Sequence, residues 1–123
     1  MSKQQDLNNA DSDRLLEIVV AALEDMKGVD VRVIDVRGLT SITDRMVIVS
    51  GTSTRHVKAL ADNVVLHAKQ HGFKPLGVEG ENSAEWVLVD LADVVVHIMM
   101  PEIRDFYALE KLWSVGGRND VSA

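Results

Sequence analysis

Apolar residues recur along this chain in two rhythms. Leu15, Ile18, Val19, Ala22, Leu23 and Met26 follow the spacing i, i+3, i+4, i+7, which lays one apolar stripe along a helix. Asp11 or Ser12 is placed to cap that helix and Gly28 to end it. Val57, Leu60, Ala61, Val64 and Ala68 repeat the pattern behind Thr52-Ser53-Thr54, closing near Gly72. A third helical segment, 102–113, carries Ile103, Phe106, Tyr107, Leu109, Leu112 and Trp113 around more than half its girth. Such a helix either sits deep or turns one side to another chain.

The second rhythm is that of strands: Val31–Val36, Met46–Ser50, Leu76–Glu79, Trp86–Leu91 and Val94–Met100. Met46–Ser50 and Val94–Met100 are nearly continuous apolar runs, as expected of strands covered on both faces. Strand 46–50, helix 54–72 and strand 76–79 form a crossover long enough for parallel pairing. Only Ala92-Asp93 separates the last two strands, enough for a tight antiparallel hairpin. The order α-β-β-α-β-β-β-α predicts an α/β or α+β architecture, a mixed five-stranded sheet flanked by helices.

Composition narrows the picture. The chain has 123 residues, 46% of them hydrophobic and 26% charged, which suits one domain with its own core. It has no cysteine, so disulfides, thiolate zinc sites and cysteine nucleophiles are excluded. Residues 1–11 are polar and read as a loose leader, not a signal peptide. Residues 12–113 read as the folded domain and 114–123, with Gly116-Gly117, as a flexible tail. The run Val94–Met100 is too short to cross a bilayer, so no membrane partner is expected and the location expected is cytoplasmic.

Candidate chemistry is sparse. Gly51-Thr52-Ser53-Thr54 lies where a helix N-terminus could hold an anion, but it lacks the lysine and extra glycines of a phosphate loop; the plainer reading is an N-capped turn. His67 and His71 are four apart on a helix, a spacing seen in metal pairs and more often on a solvated surface. His97 alternates with Val96 and Ile98 and reads as a hydrogen-bonded core histidine. Asp90 has Leu88 and Ala92 at the alternate positions, so that strand offers no carboxylate pair for magnesium. No catalytic residue, metal or cofactor is therefore expected.

Charge is unevenly placed. Net charge is −6 overall, which disfavours broad nucleic-acid binding. Residues 54–74 carry Arg55, Lys58, Lys69 and Lys74 against Asp62 alone, whereas 79–93 carry Glu79, Glu81, Glu85, Asp90 and Asp93 with no base. Both could be solvated faces; the acidic one could equally be an edge that receives a basic protein. Trp86 stands inside it, either as a partner anchor or as a strand-end core residue.

Several longer motifs stand out: Ser41-Ile42-Thr43-Asp44, then Val47-Ile48-Val49-Ser50-Gly51-Thr52-Ser53-Thr54-Arg55-His56-Val57. Gly77-Val78-Glu79-Gly80-Glu81-Asn82-Ser83-Ala84-Glu85-Trp86 follows, then Val89-Asp90-Leu91-Ala92-Asp93-Val94-Val95-Val96-His97. Arg104, Tyr107 and Leu109-Glu110-Lys111-Leu112-Trp113 complete the set. Together they resemble the ribosomal silencing factor family, RsfS, also called Iojap or YbeB, from about residue 15 to 113. Arg45 departs from a common aromatic and Ala92 from a common glycine.

The resemblance implies a nucleotidyltransferase-like fold without catalytic residues. It implies a non-enzymatic factor that binds the large ribosomal subunit through its universal protein fourteen, blocks joining of the small subunit and represses translation under nutrient limitation. It also implies a homodimer when free, and no sequence-specific nucleic acid. Carried over by position, Glu79, Glu81, Asn82, Glu85 and Trp86 are the expected partner contacts. Phe106, Tyr107, Leu109 and Trp113 are the expected dimer surface, from the apolar wrap of the last helix. The alternatives are a nucleotidyltransferase-like nucleotide-binding enzyme using Gly51–Thr54 and a carboxylate, and a large-subunit assembly factor.

Overall fold

The computed structural model describes the backbone of residues 2–109 and 111, and the side chains of 11–109 and 111. The elements are α1 (Ser2–Asp25), β1 (Val29–Asp35), β2 (Arg45–Ser50), α2 (Thr54–Gln70), β3 (Gly77–Glu79), β4 (Trp86–Asp90), β5 (Val94–Met99) and α3 (Pro101–Tyr107). The strands form one mixed sheet in the order β1-β2-β5-β4-β3. Only β2 and β5 pair in parallel; the other three pairs are antiparallel.

The expected α/β architecture is present, with its two central strands buried along their full length. The crossover through α2 does return β3 in the same direction as β2. The two are not neighbours, however: β5 and β4 lie between them, and β3 pairs antiparallel with β4. The hairpin β4–β5 turns through Ala92-Asp93 as expected, with Leu91 N–H bonded to the Val94 carbonyl at 2.9 Å.

Helices α1 and α2 cover one sheet face. Val57, Leu60, Ala61, Val64 and Ala68 of α2 are fully buried, together with Leu15, Val19, Ala22 and Leu23 of α1. They pack on Val47, Val49, Val87, Val89, Val96 and Ile98, the alternate residues of the three central strands. The other face carries a smaller cluster of Val36, Met46, Ile48 and Met99, against which Trp86, Ile103 and Leu109 pack.

Two expectations about helix ends are corrected. The first helix starts well before Asp11, its backbone running from Ser2 to Asp25 through the stretch expected as a leader. Ser12 is consequently mid-helix and buried, not a cap. The third helix is interrupted after Tyr107, because Ala108 adopts left-handed backbone (φ 50°) and returns its N–H to the Arg104 carbonyl; Leu109 and Lys111 beyond it are again helical. Leu112, Trp113 and the expected tail 114–123 lie outside the described residues.

Candidate protein-docking site

The acidic stretch folds into a tight turn between β3 and β4. Gly80 (φ 89°) and Ala84 (φ 56°) are both left-handed, and the Ala84 N–H closes the turn on the Gly80 carbonyl at 3.0 Å. A side chain at position 80 would put its Cβ 2.1 Å from the Trp86 carbonyl oxygen, so only glycine lets the turn fold back this closely. Ala84 is buried beneath it, which leaves Glu81, Asn82, Ser83 and Glu85 exposed at the rim. The Glu85 carbonyl accepts from Met100 N–H at 2.9 Å, fixing the turn to the entrance of α3.

Sheet register places the rest. Glu79, Leu88, His97 and Ile48 stand opposite one another across β3, β4, β5 and β2, so they share the sheet face that α1 and α2 leave free. Trp86 lies two residues from Leu88 on that face, opposite Met99. It is half-buried, and its indole N–H donates to His97 Nδ1 at 3.0 Å. Its ring packs on Tyr107 at a centroid distance of 4.9 Å, and Tyr107 meets Phe106 edge-on at 5.0 Å.

An aromatic ridge results. Phe106 is 80% exposed and Tyr107 52%, well beyond what a core pair would show. Exposed carboxylates accompany it: Glu79, Glu81 and Glu85 from the β3–β4 segment, and Glu102 from α3. Glu85 and Glu102 also line one shallow groove, whose floor is Met100 and Ile103. An apolar floor with an acidic rim suits a long basic side chain, whose stem and head group want those two surroundings.

The structure thus brings Glu79, Glu81, Asn82, Glu85 and Trp86 into one region, and adds Phe106 and Tyr107 to it. Leu109 is half-buried beside the same small cluster; Trp113 lies outside the described residues. Glu102 escaped sequence reasoning as part of this surface, and His97 as the buried support beneath it. Both are remote from Glu79–Glu85 in sequence and meet that segment only because β4 and β5 are neighbours.

Elsewhere the plainer readings match what the side chains do. Ser53 caps α2 by accepting the His56 N–H at 3.1 Å. Thr52 N–H donates to His56 Nδ1, so the His56 Nε2 carries the proton that bonds the Met26 carbonyl at 2.8 Å. The amides of Gly51, Thr52 and His56 are thereby engaged by the chain's own groups. Gly51 serves packing, since a Cβ there would lie 2.7 Å from a Val57 methyl. Asp90 accepts the Ala92 N–H at 2.9 Å and shapes the hairpin. His71 bonds the His67 carbonyl through Nδ1, and no three metal-ligating side chains cluster among the described residues.

A family profile described as "Ribosomal silencing factor during starvation" matches residues 9–123. The chain belongs to the ribosomal silencing factor family. A silencing factor of Haemophilus influenzae is 48% identical over 100 residues, 81% of this chain and 98% of that protein. A mouse relative named mitochondrial assembly of ribosomal large subunit protein 1 is 36% identical over 111 residues; the match covers 88% of this chain and 49% of the mouse protein. Among solved structures, a Chromobacterium violaceum protein superposes with a TM-score of 0.82 at 45% identity, covering 90% of this chain and 91% of that one. The family is one of regulatory proteins, and this member of it places the turn 80–85 and the aromatic ridge on the sheet face away from α1 and α2.

Proposed function

We propose that this chain is a non-enzymatic silencing factor that docks on the large ribosomal subunit and blocks small-subunit joining by occupancy. The universal protein fourteen of that subunit is the proposed contact, and the acidic-aromatic face is the proposed docking surface. One observation carries the reading: Trp86, Tyr107 and Phe106 form a continuous, partly exposed ridge with four exposed carboxylates, Glu79, Glu81, Glu85 and Glu102, around it. Aromatic anchors within a charged rim are the usual build of a protein interface, and ribosomal proteins are typically basic. The charge would steer association, and the ridge would hold the complex.

When free, the chain is proposed to pair with a second copy through the same ridge, with Leu109 beside it. An 80% exposed phenylalanine against a half-exposed tyrosine is a patch that self-association would cover. A second reading, a large-subunit assembly factor, is favoured by the name of the mouse relative and would use the same docking face. Under both readings the protein works at ribosomes, and the location proposed for it is the cytoplasm. Co-sedimentation with isolated large subunits, small subunits and joined ribosomes tests the proposal: binding to large subunits alone is expected. Equal binding to small subunits, or magnesium-dependent turnover of a nucleoside triphosphate, would contradict it.

A further inference from the structure

His97 is buried in the central strand β5 at 7% exposure, yet its Nδ1 reaches the one polar atom of Trp86 at 3.0 Å. Indole N–H can only donate, so Nδ1 must be the unprotonated acceptor and the neutral ring must carry its proton on Nε2. The two rings meet at 5.8 Å and 52°, and the far side of the indole rests on Tyr107. Trp86 is therefore held from two sides: by a hydrogen bond from beneath and by an aromatic contact from α3. Only the remaining edge of the ring is left for solvent.

We infer that His97 is a positioning residue for docking: its Nδ1 fixes the orientation in which Trp86 meets the partner. The inference rests on the docking reading above and adds a residue that itself touches no partner. Without the acceptor, the half-buried N–H has no partner and the ring must turn toward water to find one. That turn would break the stack on Tyr107 and scatter the ridge. A pre-oriented anchor loses less freedom on binding, so its loss appears as weaker association more than as unfolding. Burial holds the imidazole well below its ordinary value, which keeps the acceptor available at neutral pH.

The test replaces the Trp86 indole by its benzothiophene isostere, which keeps the ring shape and lacks the N–H. Large-subunit affinity is expected to fall roughly five- to fifty-fold, with the melting transition retained. His97→Phe should weaken binding similarly, and His97→Asn, whose amide oxygen can accept, should recover part of the loss. In the isostere background, His97→Phe should change affinity by less than about two-fold, because the bond is already gone. Wild-type affinity for the isostere, while Trp86→Ala abolishes binding, would overturn the positioning role and leave the docking site standing. Wild-type affinity for Trp86→Ala as well would overturn both. Should His97→Phe fail to fold, the isostere decides by itself.

Discussion

Ser50, the last residue of β2, accepts a hydrogen bond at 3.0 Å from Nη1 of Arg104 on α3. Both are buried, and the same guanidinium reaches the Val29 carbonyl at 3.4 Å and Asp30 at 3.6 Å. This contact ties the helix that carries Phe106 and Tyr107 to the central strand. A seven-residue helix is too short to hold itself in place. Arg104→Met keeps the apolar stem and removes the bonds, and should lower stability by about 2–3 kcal/mol in urea unfolding. Lys111→Met, an exposed change nearby, should stay within about 0.5 kcal/mol.

His97 gives the fold a pH dependence. Burial pushes its imidazole from 6.5 down to about 4. Between those values the unfolded chain holds a proton that the folded chain refuses. Stability from this group is therefore complete above pH 6.5, declines as pH falls toward 4, and changes no further below that. The window amounts to about 3 kcal/mol. Asp35, held down to about 2 by its hydrogen bonds from Arg37, contributes in a separate window, lost only as pH falls from 3.8. Asp93, raised by burial, acts in the opposite sense. Subtracting the unfolding free energies of His97→Phe from those of the wild type across pH 4 to 7 should isolate the His97 slope; a flat difference would refute it.

Ala92 sits at φ 73° in the β4–β5 hairpin, where an alanine Cβ crowds the backbone. Ala92→Gly relieves that strain but loosens the unfolded chain, leaving a net gain of about 0.5 kcal/mol. Thermal unfolding should shift up by about 2 °C. Ala68→Gly, on the buried face of α2, should instead cost about 1 kcal/mol or more.

The proposed dimer and docking surfaces share one ridge, since the Trp86 and Tyr107 rings lie 4.9 Å apart. Self-association and subunit binding should then compete. Sedimentation should find dimers of the free protein at tens of micromolar, and pelleted complexes should hold one copy per large subunit. Phe106→Asp should yield monomers. Two copies per subunit would separate the two surfaces.

Much of this was legible in the chain. The apolar stripe of α2 predicts its five buried residues, because a helix with one covered face needs little tertiary information. The two-residue gap at Ala92-Asp93 predicts the hairpin for the same local reason. What depended on three-dimensional neighbours was less readable. The left-handed Ala108 that stops α3 carries no glycine to announce it. The partner of β3 depends on β5 occupying the place beside β2. The acids Glu79–Glu85 are visible as a cluster along the sequence, whereas Glu102 joins them only through sheet order. Trp86 illustrates the limit best: the anchor and core readings divide the residue between them, since one edge meets solvent and its N–H is buried against His97.

The central claim is that the acidic-aromatic face docks the large subunit, and Trp86→Ala tests it most directly. Co-sedimentation with large subunits and thermal melting should be measured on the same preparation. Because the ring is only half-buried, stability should fall by about 1–2 kcal/mol, short of the about 3–5 kcal/mol for truncating a core tryptophan. Affinity should fall far more, roughly 30- to 1,000-fold. Charge reversal at Glu79 or Glu81 should act more gently, slowing association and flattening its salt dependence. Undiminished subunit binding by folded Trp86→Ala would contradict the account and place the docking surface elsewhere.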